Sequence, residues 1–358
     1  MSAQATAKYI SDTGFNSLLA VFSSRGKVFM PQAVTGQDGT THFHYEPLKE
    51  GGSFEHAGFR PVQPLKSYLF QSRIKVADYP AGGDEIPLDE STVYIIGAAA
   101  CDVISLKSLD VIFLQDEFTD VFYRARRENT IIVSADCSEP RESCFCTLQG
   151  NTPYASSGFD LNLTAVDGGF LLEAGSDAGE SILTDFADHF SDPGQNMFDD
   201  QDRQRQEAEI KVAEINRGYE LSKSKHDLLG ELRESDHWNE HVNTCVECGA
   251  CLFSCPTCHC FMLYDTQEGE GAFKRFKKWD ACIYGGYSRM SGGGSPRLGL
   301  MERFRHRYLH KLEYYPDNFG FEACTGCGRC IEGCMGRIDM RKVMSALDLV
   351  IADSGGDA

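Results

Sequence analysis

The chain has 358 residues, 42% of them apolar and 24% charged, with a net charge of −19 and fifteen cysteines. That composition excludes a fibrous or disordered chain and gives room for two or three domains. No run approaches the roughly eighteen apolar residues of a membrane helix, and so much negative charge argues against non-specific nucleic-acid binding.

Met1–Lys8 lacks the basic patch and apolar stretch of a secretory signal, so a reducing, cytoplasmic setting is expected. Clustered thiols there are metal ligands rather than disulfides. Further on, Lys27–Met30 and Thr41–Tyr45 are predicted strands separated by the turn Gly36–Gly39. His42 and His44 share one strand face, and without a third ligand they are a solvated face. Val93–Ala100 is a continuous apolar run of the kind found in buried parallel strands. The amphipathic stretch Val103–Leu114 follows, then a second buried strand, Thr130–Val133. Together they make a βαβ unit, whose strand ends gather ligands at one sheet edge.

Four thiols converge on that edge. Cys101 and Cys137 follow the two strands, and Cys144 and Cys146 lie on the next loop. They could hold a third [4Fe-4S] cluster, or be buried free thiols, which pack as small apolar residues. Phe159–Thr164 and Phe170–Leu172 form a predicted hairpin through Asp167-Gly168-Gly169. Residues 181–240 turn helical and carry fifteen acidic and seven basic side chains, as a solvated connector would.

Eight cysteines then fall into two runs of equal spacing: Cys245, Cys248, Cys251 and Cys255, then Cys324, Cys327, Cys330 and Cys334. This is the spacing of two-cluster ferredoxins. Three thiolates of one short loop reach three irons of a cube, while the fourth, on an outgoing helical turn, serves the other cluster. Cross-ligation therefore predicts two [4Fe-4S] clusters, one on Cys245, Cys248, Cys251 and Cys334, the other on Cys324, Cys327, Cys330 and Cys255. Tetrahedral zinc is the alternative, but four cysteines within eleven residues suit a cube better. Pro256 follows the first run, whereas Met335 follows the second.

Sixty-eight residues separate Cys255 from Cys324, which suggests a helical dicluster domain in which each run opens a helix. Within this insertion, residues 271–311 hold ten Lys or Arg against two acids. Such a stretch is either a solvated face, a positive wall beside anionic clusters, or a dock for an acidic partner. Cys258, Cys260 and Cys282 are left without a role.

Several motifs resemble one family, the iron–sulfur subunits of anaerobic sulfite reductase (the A subunit) and of cytoplasmic [NiFe] sulfhydrogenase (the beta subunit). They are Cys-Pro-Thr-Cys-x-Cys-Phe at 255–261, Trp279-Asp-x-Cys282, the Arg-rich segment ending His310-Lys311, and Cys324-Thr-Gly-Cys-Gly-Arg-Cys330. Gly97-x-x-x-Cys101-Asp102, Glu117–Asp120, Arg126–Asn129, Asp136-Cys137 and Cys144-Phe-Cys146 extend the likeness into the N-terminal half. The resemblance implies a non-catalytic electron relay between a flavoprotein subunit that reacts with NAD(P)H and a terminal reductase or hydrogenase subunit. The absence of Gly-x-Gly-x-x-Gly and Walker loops agrees with it. An autonomous iron–sulfur enzyme reducing a small oxyanion and a redox-sensing regulator remain as alternatives.

The expected fold is α+β: an N-terminal α/β domain with a partly parallel sheet, followed by a helical, ferredoxin-like dicluster domain. The expected boundaries are 1–180 for the α/β domain, 181–240 for the connector, 241–345 for the cluster domain and 346–358 for a tail. No nucleic acid and no membrane insertion are expected.

Overall fold

A computed structural model describes residues 6–37, 39–80 and 86–354. Asp38 of the expected turn, the N-terminal Met1–Ala5 and the end of the expected tail lie outside the described residues. Ten strands run through these residues: β1 (Ala7–Ser11), β2 (Lys27–Thr35), β3 (Thr41–Pro47), β4 (Arg73–Tyr79), β5 (Val93–Ala99), β6 (Thr130–Ala135), β7 (Leu161–Val166), β8 (Gly169–Ala174), β9 (Phe261–Gln267) and β10 (Phe273–Trp279). The chain divides into two compact units, residues 1–69 with 88–215 and residues 70–87 with 216–358. The division falls after Ile215, inside the stretch read as a connector. The residues from 346 onward continue the helix Met340–Ser354.

The first unit is built on a seven-stranded sheet in the order β1-β8-β7-β6-β5-β2-β3. Its centre is parallel: β2 pairs with β5, β5 with β6 and β6 with β7. Antiparallel strands close both edges. Every residue of β5 from Tyr94 to Ala99 is buried, which is why its sequence is a continuous apolar run rather than an alternating one.

The helix Asp12–Arg25 presents Phe15, Leu18, Leu19 and Phe22 to the core, the i, i+3, i+4, i+7 pattern of one helical face. Each such side chain contributes about 1.5–3 kcal/mol by leaving water. Ser11 caps the helix by accepting the Gly14 N–H at 3.2 Å. The acidic helix Gln195–Ile215 lies on this unit and is fastened by polar contacts. Its Arg205 donates to Asp136 and to Glu173, each at 2.7 Å, and its Gln201 donates to Thr164 at 2.7 Å.

The second unit holds the two cysteine runs and a sheet that the sequence did not announce. The strands β4, β10 and β9 pair antiparallel in that order, so the 68-residue insertion is only partly helical. Beyond them, the helix Leu300–Leu309 runs into a wide π turn over His310–Tyr314 and then the helix Tyr315–Phe319. Pro316 has no N–H to give to the carbonyl four residues back and crowds it, a local cause for the widened turn. No helix among the described residues is long and apolar enough to cross a membrane.

Candidate metal centre

The two cysteine runs fold into the same shape. Each puts two residues in the left-handed region, Glu247 (φ 53°) and Gly249 (φ 74°) in the first, Gly326 (φ 68°) and Gly328 (φ 74°) in the second. Each then enters a one-turn helix, Ala250–Phe253 or Arg329–Glu332. The left-handed turns aim backbone N–H groups inward: Glu247 donates to the Cys245 sulphur and Gly326 to the Cys324 sulphur. Glycine is required at 249, where a Cβ would stand 2.7 Å from the Tyr284 hydroxyl and 2.9 Å from the Phe253 ring. Glu247 tolerates its conformation while its carboxylate is held by Arg303 at 2.9 Å.

The fourth thiol of each run stands among thiols of the other. Cys245, Cys248, Cys251 and Cys334 line one pocket together with Cys330 and Arg307, walled by Val246, Ile283, Phe304, Tyr308, Ile338 and Met340. Cys334 is among the groups acting most strongly on both Cys245 and Cys251. Cys255 likewise acts on Cys324 and Cys330, together with Cys327. The Cys334 sulphur accepts the Ile338 N–H at 3.3 Å.

Burial pushes these thiols up, Cys330 to about 12 and Cys324 to about 11, because an anionic sulphur is poorly solvated there. Two cations oppose this. Arg307 draws Cys251 and Cys330 down, and Lys311 draws Cys324 down. Both cations are themselves buried, Arg307 at 6% exposure and Lys311 at 3%. Burial works against their charge, yet the thiols around them hold both above their ordinary values. The groups acting most on Arg307 are Cys330, Cys251, the Tyr308 phenol and Cys255. Lys311 donates to the Thr257 hydroxyl at 2.7 Å, to the Ala323 carbonyl at 3.0 Å and to the Cys255 sulphur at 3.4 Å.

A buried cation without negative charge nearby costs several kcal/mol, so this pocket calls for an anionic occupant. The polar atoms agree: Arg307 Nε, Tyr308 Oη and Thr325 Oγ1 are buried and have no hydrogen-bond partner within the protein. Thiolate ligands, an apolar cage, buried cations and unspent donors together fit an iron–sulfur cluster.

The basic stretch thus divides by position. Arg303, Arg307 and Lys311 recur every four residues and are buried, whereas Arg305 faces outward to Glu234 at 3.3 Å. Sequence reasoning read the stretch as one block and missed this row; the i, i+4, i+8 spacing was its signal.

In the first unit, Cys137 follows β6 and is most affected by Cys144 and Cys146, with Arg60 opposing them; burial drives its thiol well above the ordinary range. Cys101 lies in the first turn of the helix Ala100–Phe113, after the neighbouring strand β5. The adjacent Asp136 anchors this edge by accepting from Asn162 at 2.9 Å and from Thr164 and Arg205 at 2.7 Å.

The family described as the 4Fe-4S dicluster domain matches residues 244–338. The beta subunit of sulfhydrogenase 2 from Pyrococcus furiosus is 33% identical over 250 residues, 70% of this chain and 72% of that protein. No solved structure matches the chain.

Proposed function

The chain belongs to the sulfhydrogenase beta-subunit family, and from that premise we propose that it relays single electrons between a flavoprotein subunit reacting with NAD(P)H and a terminal hydrogenase or reductase subunit. The observation that supports this reading is that the fourth thiol of each run stands among thiols of the other, with Arg307 and Lys311 buried beside them.

In this reading Cys245, Cys248, Cys251 and Cys334 hold one [4Fe-4S] cluster, and Cys324, Cys327, Cys330 and Cys255 hold another. A bound cluster of this kind takes up and releases one electron with little rearrangement. The chain's own residues do the rest. Ile283, Phe304 and Ile338 give the pocket its apolar side. The N–H groups of Glu247, Gly326 and Ile338 direct partial positive charge at them. Arg307 and Lys311 favour the more negative, reduced state. Exchanging the fourth ligands would tie both centres to the same pair of cysteine loops. A third cluster on Cys101, Cys137, Cys144 and Cys146 would give the relay a stepping stone in its other unit.

The test is to purify the full chain without oxygen and measure iron, acid-labile sulfide and the electron paramagnetic resonance of the reduced protein. Cys248→Ser should remove one ferredoxin-type signal and Cys144→Ser about four irons with both such signals kept. Iron content unaffected by Cys248→Ser would refute the ligand assignment. Native pull-down followed by mass spectrometry should recover a flavoprotein and a hydrogenase-type subunit; recovery of the chain alone would refute the relay.

A further inference from the structure

Two thiols outside both runs meet at the open end of the β9–β10 hairpin. In the hairpin register Phe261 lies opposite Trp279, and just beyond this pair the Asp280 N–H donates to the Cys260 carbonyl at 2.9 Å. The chain therefore leaves the hairpin with Cys260 and Cys282 on adjoining segments, and their side chains are hydrogen-bonded to each other. Two sulphurs in such contact are too close to hold separate irons of one cube. Nor is any group of three His, Cys, Asp or Glu side chains among the described residues disposed to hold a single metal ion. Contact at this range suits a covalent S–S bond, which spans about 2 Å and closes from a touching pair by a turn of the side chains.

The two thiols are not alike. Cys282 is 4% exposed, whereas Cys260 is half-buried and leads directly into Phe261, Met262 and Leu263, which are exposed. Their hydrogen bond is also directional. It draws the Cys260 thiol below its ordinary value and, with burial, pushes Cys282 above, so the Cys282 S–H donates to a Cys260 thiolate. The Tyr287 hydroxyl, 3.5 Å from the Cys260 sulphur, favours that thiolate further, while burial opposes it. A reachable, thiolate-prone sulphur backed by a buried thiol that stays protonated is the arrangement that thiol–disulfide exchange needs: the first attacks and the second resolves.

We propose that Cys260 and Cys282 are a redox-active dithiol that reduces a small organic disulfide, with Cys260 attacking and Cys282 resolving. The half-buried Cys260 sulphur admits a small substrate, and the exposed apolar residues that follow it suit an organic one. In the first step the Cys260 thiolate bonds to one sulphur of the substrate RS–SR, the substrate's S–S bond breaks, and RS⁻ leaves. In the second, Cys282 gives its proton to a departing thiolate and bonds to the Cys260 sulphur, which releases the other half as RS⁻. The pair loses two electrons and closes to a disulfide; the substrate gains them and becomes two thiols. Their protons are the one from Cys282 and the one that Cys260 released to water when its thiolate formed. This two-electron centre uses none of the eight thiols of the runs and does not depend on the relay reading.

The test uses the full chain, purified without oxygen and treated with oxidised glutathione before alkylation and peptide mapping. In wild type, Cys260 and Cys282 should both be lost to alkylation and recovered as a linked pair that dithiothreitol reopens, with iron and sulfide unchanged. Cys282→Ser should stop at the first step, with glutathione attached to Cys260. Cys260→Ser should leave Cys282 unmodified, and Cys258→Ser should keep the linkage. No linkage in wild type at any ratio of oxidised to reduced glutathione would overturn the proposal, and that measurement needs no substitution. Glutathione on Cys282 in Cys260→Ser, or a linkage of either sulphur to Cys258, would overturn it as well. So would a loss of about four irons in Cys260→Ser or Cys282→Ser, which would make these thiols cluster ligands. Iron missing from the wild type would instead refute the two-cluster reading.

Discussion

Replacing Lys311 with Met removes a buried positive charge while keeping most of the side chain's volume. The ammonium lies 3.4 Å from the Cys255 sulphur. At an effective dielectric constant of about 20, two unit charges at that separation interact by about 5 kcal/mol. An electron shared over a whole cluster puts roughly half of that effect within reach, or about 2.5 kcal/mol. For a one-electron couple this is on the order of 100 mV, and the sign is downward, because the reduced state loses its counter-charge. The cost to the fold is separate: Thr257 Oγ1 and Ala323 O lose a buried donor, about 1–3 kcal/mol. A redox titration followed by electron paramagnetic resonance reads the first effect, and thermal unfolding reads the second. The signal assigned to the Cys255-bearing set should shift and the other should shift less. A potential unchanged within about 20 mV, with the signal intact, would refute the role given to this cation.

Gly249→Ala places a Cβ against Tyr284 in the left-handed region and should cost about 1–2 kcal/mol; an unchanged melting temperature would count against the required turn. Arg205→Met leaves Asp136 and Glu173 without their shared partner, and denaturant unfolding should show a loss of about 2–3 kcal/mol from the first unit. His306 is held down at about 4, first by burial and then by Arg297, so the folded state keeps it neutral. Its contribution is intact above the unfolded value of about 6.5 and is lost as pH falls towards 4, about 2 kcal/mol at pH 5. His306→Leu should flatten that acid-side decline; an identical pH profile in the variant would refute the assignment.

What could be read from the residues follows the range of the interaction that fixes each feature. The two runs are legible because cube geometry is local, with three ligands within seven residues. The strands β5 and β6 are legible because full burial writes itself into one continuous apolar segment. The small sheet is not. Strand β10 reads Phe-Lys-Arg-Phe-Lys-Lys-Trp, which looks like charge on a solvated face. Yet Lys277 is buried, with its ammonium 5.3 Å from the centre of the Phe70 ring and 5.7 Å from that of Phe261. Its partner β4 comes from far upstream in the chain, so no local pattern could pair them. The convergence of Cys260 with Cys282 depends on that hairpin and was hidden with it.

The row of buried cations shows how the backbone itself serves the site. In an α-helix each step of four residues advances about 40° around the axis, so a cation eight residues on drifts about 80° from the first. Arg303 and Arg307 sit in the regular helix, but Lys311 falls in the π turn, where each residue rotates less. The wide turn therefore returns Lys311 towards the face that Arg307 occupies, and both end against thiols. Pro316 sets that turn from outside the row, which ties the direction of a charge near Cys255 to a residue that touches no sulphur. The insertion between the runs is thus what supplies the counter-charge that the two short cysteine loops, with eight thiols and one arginine between them, cannot provide for themselves.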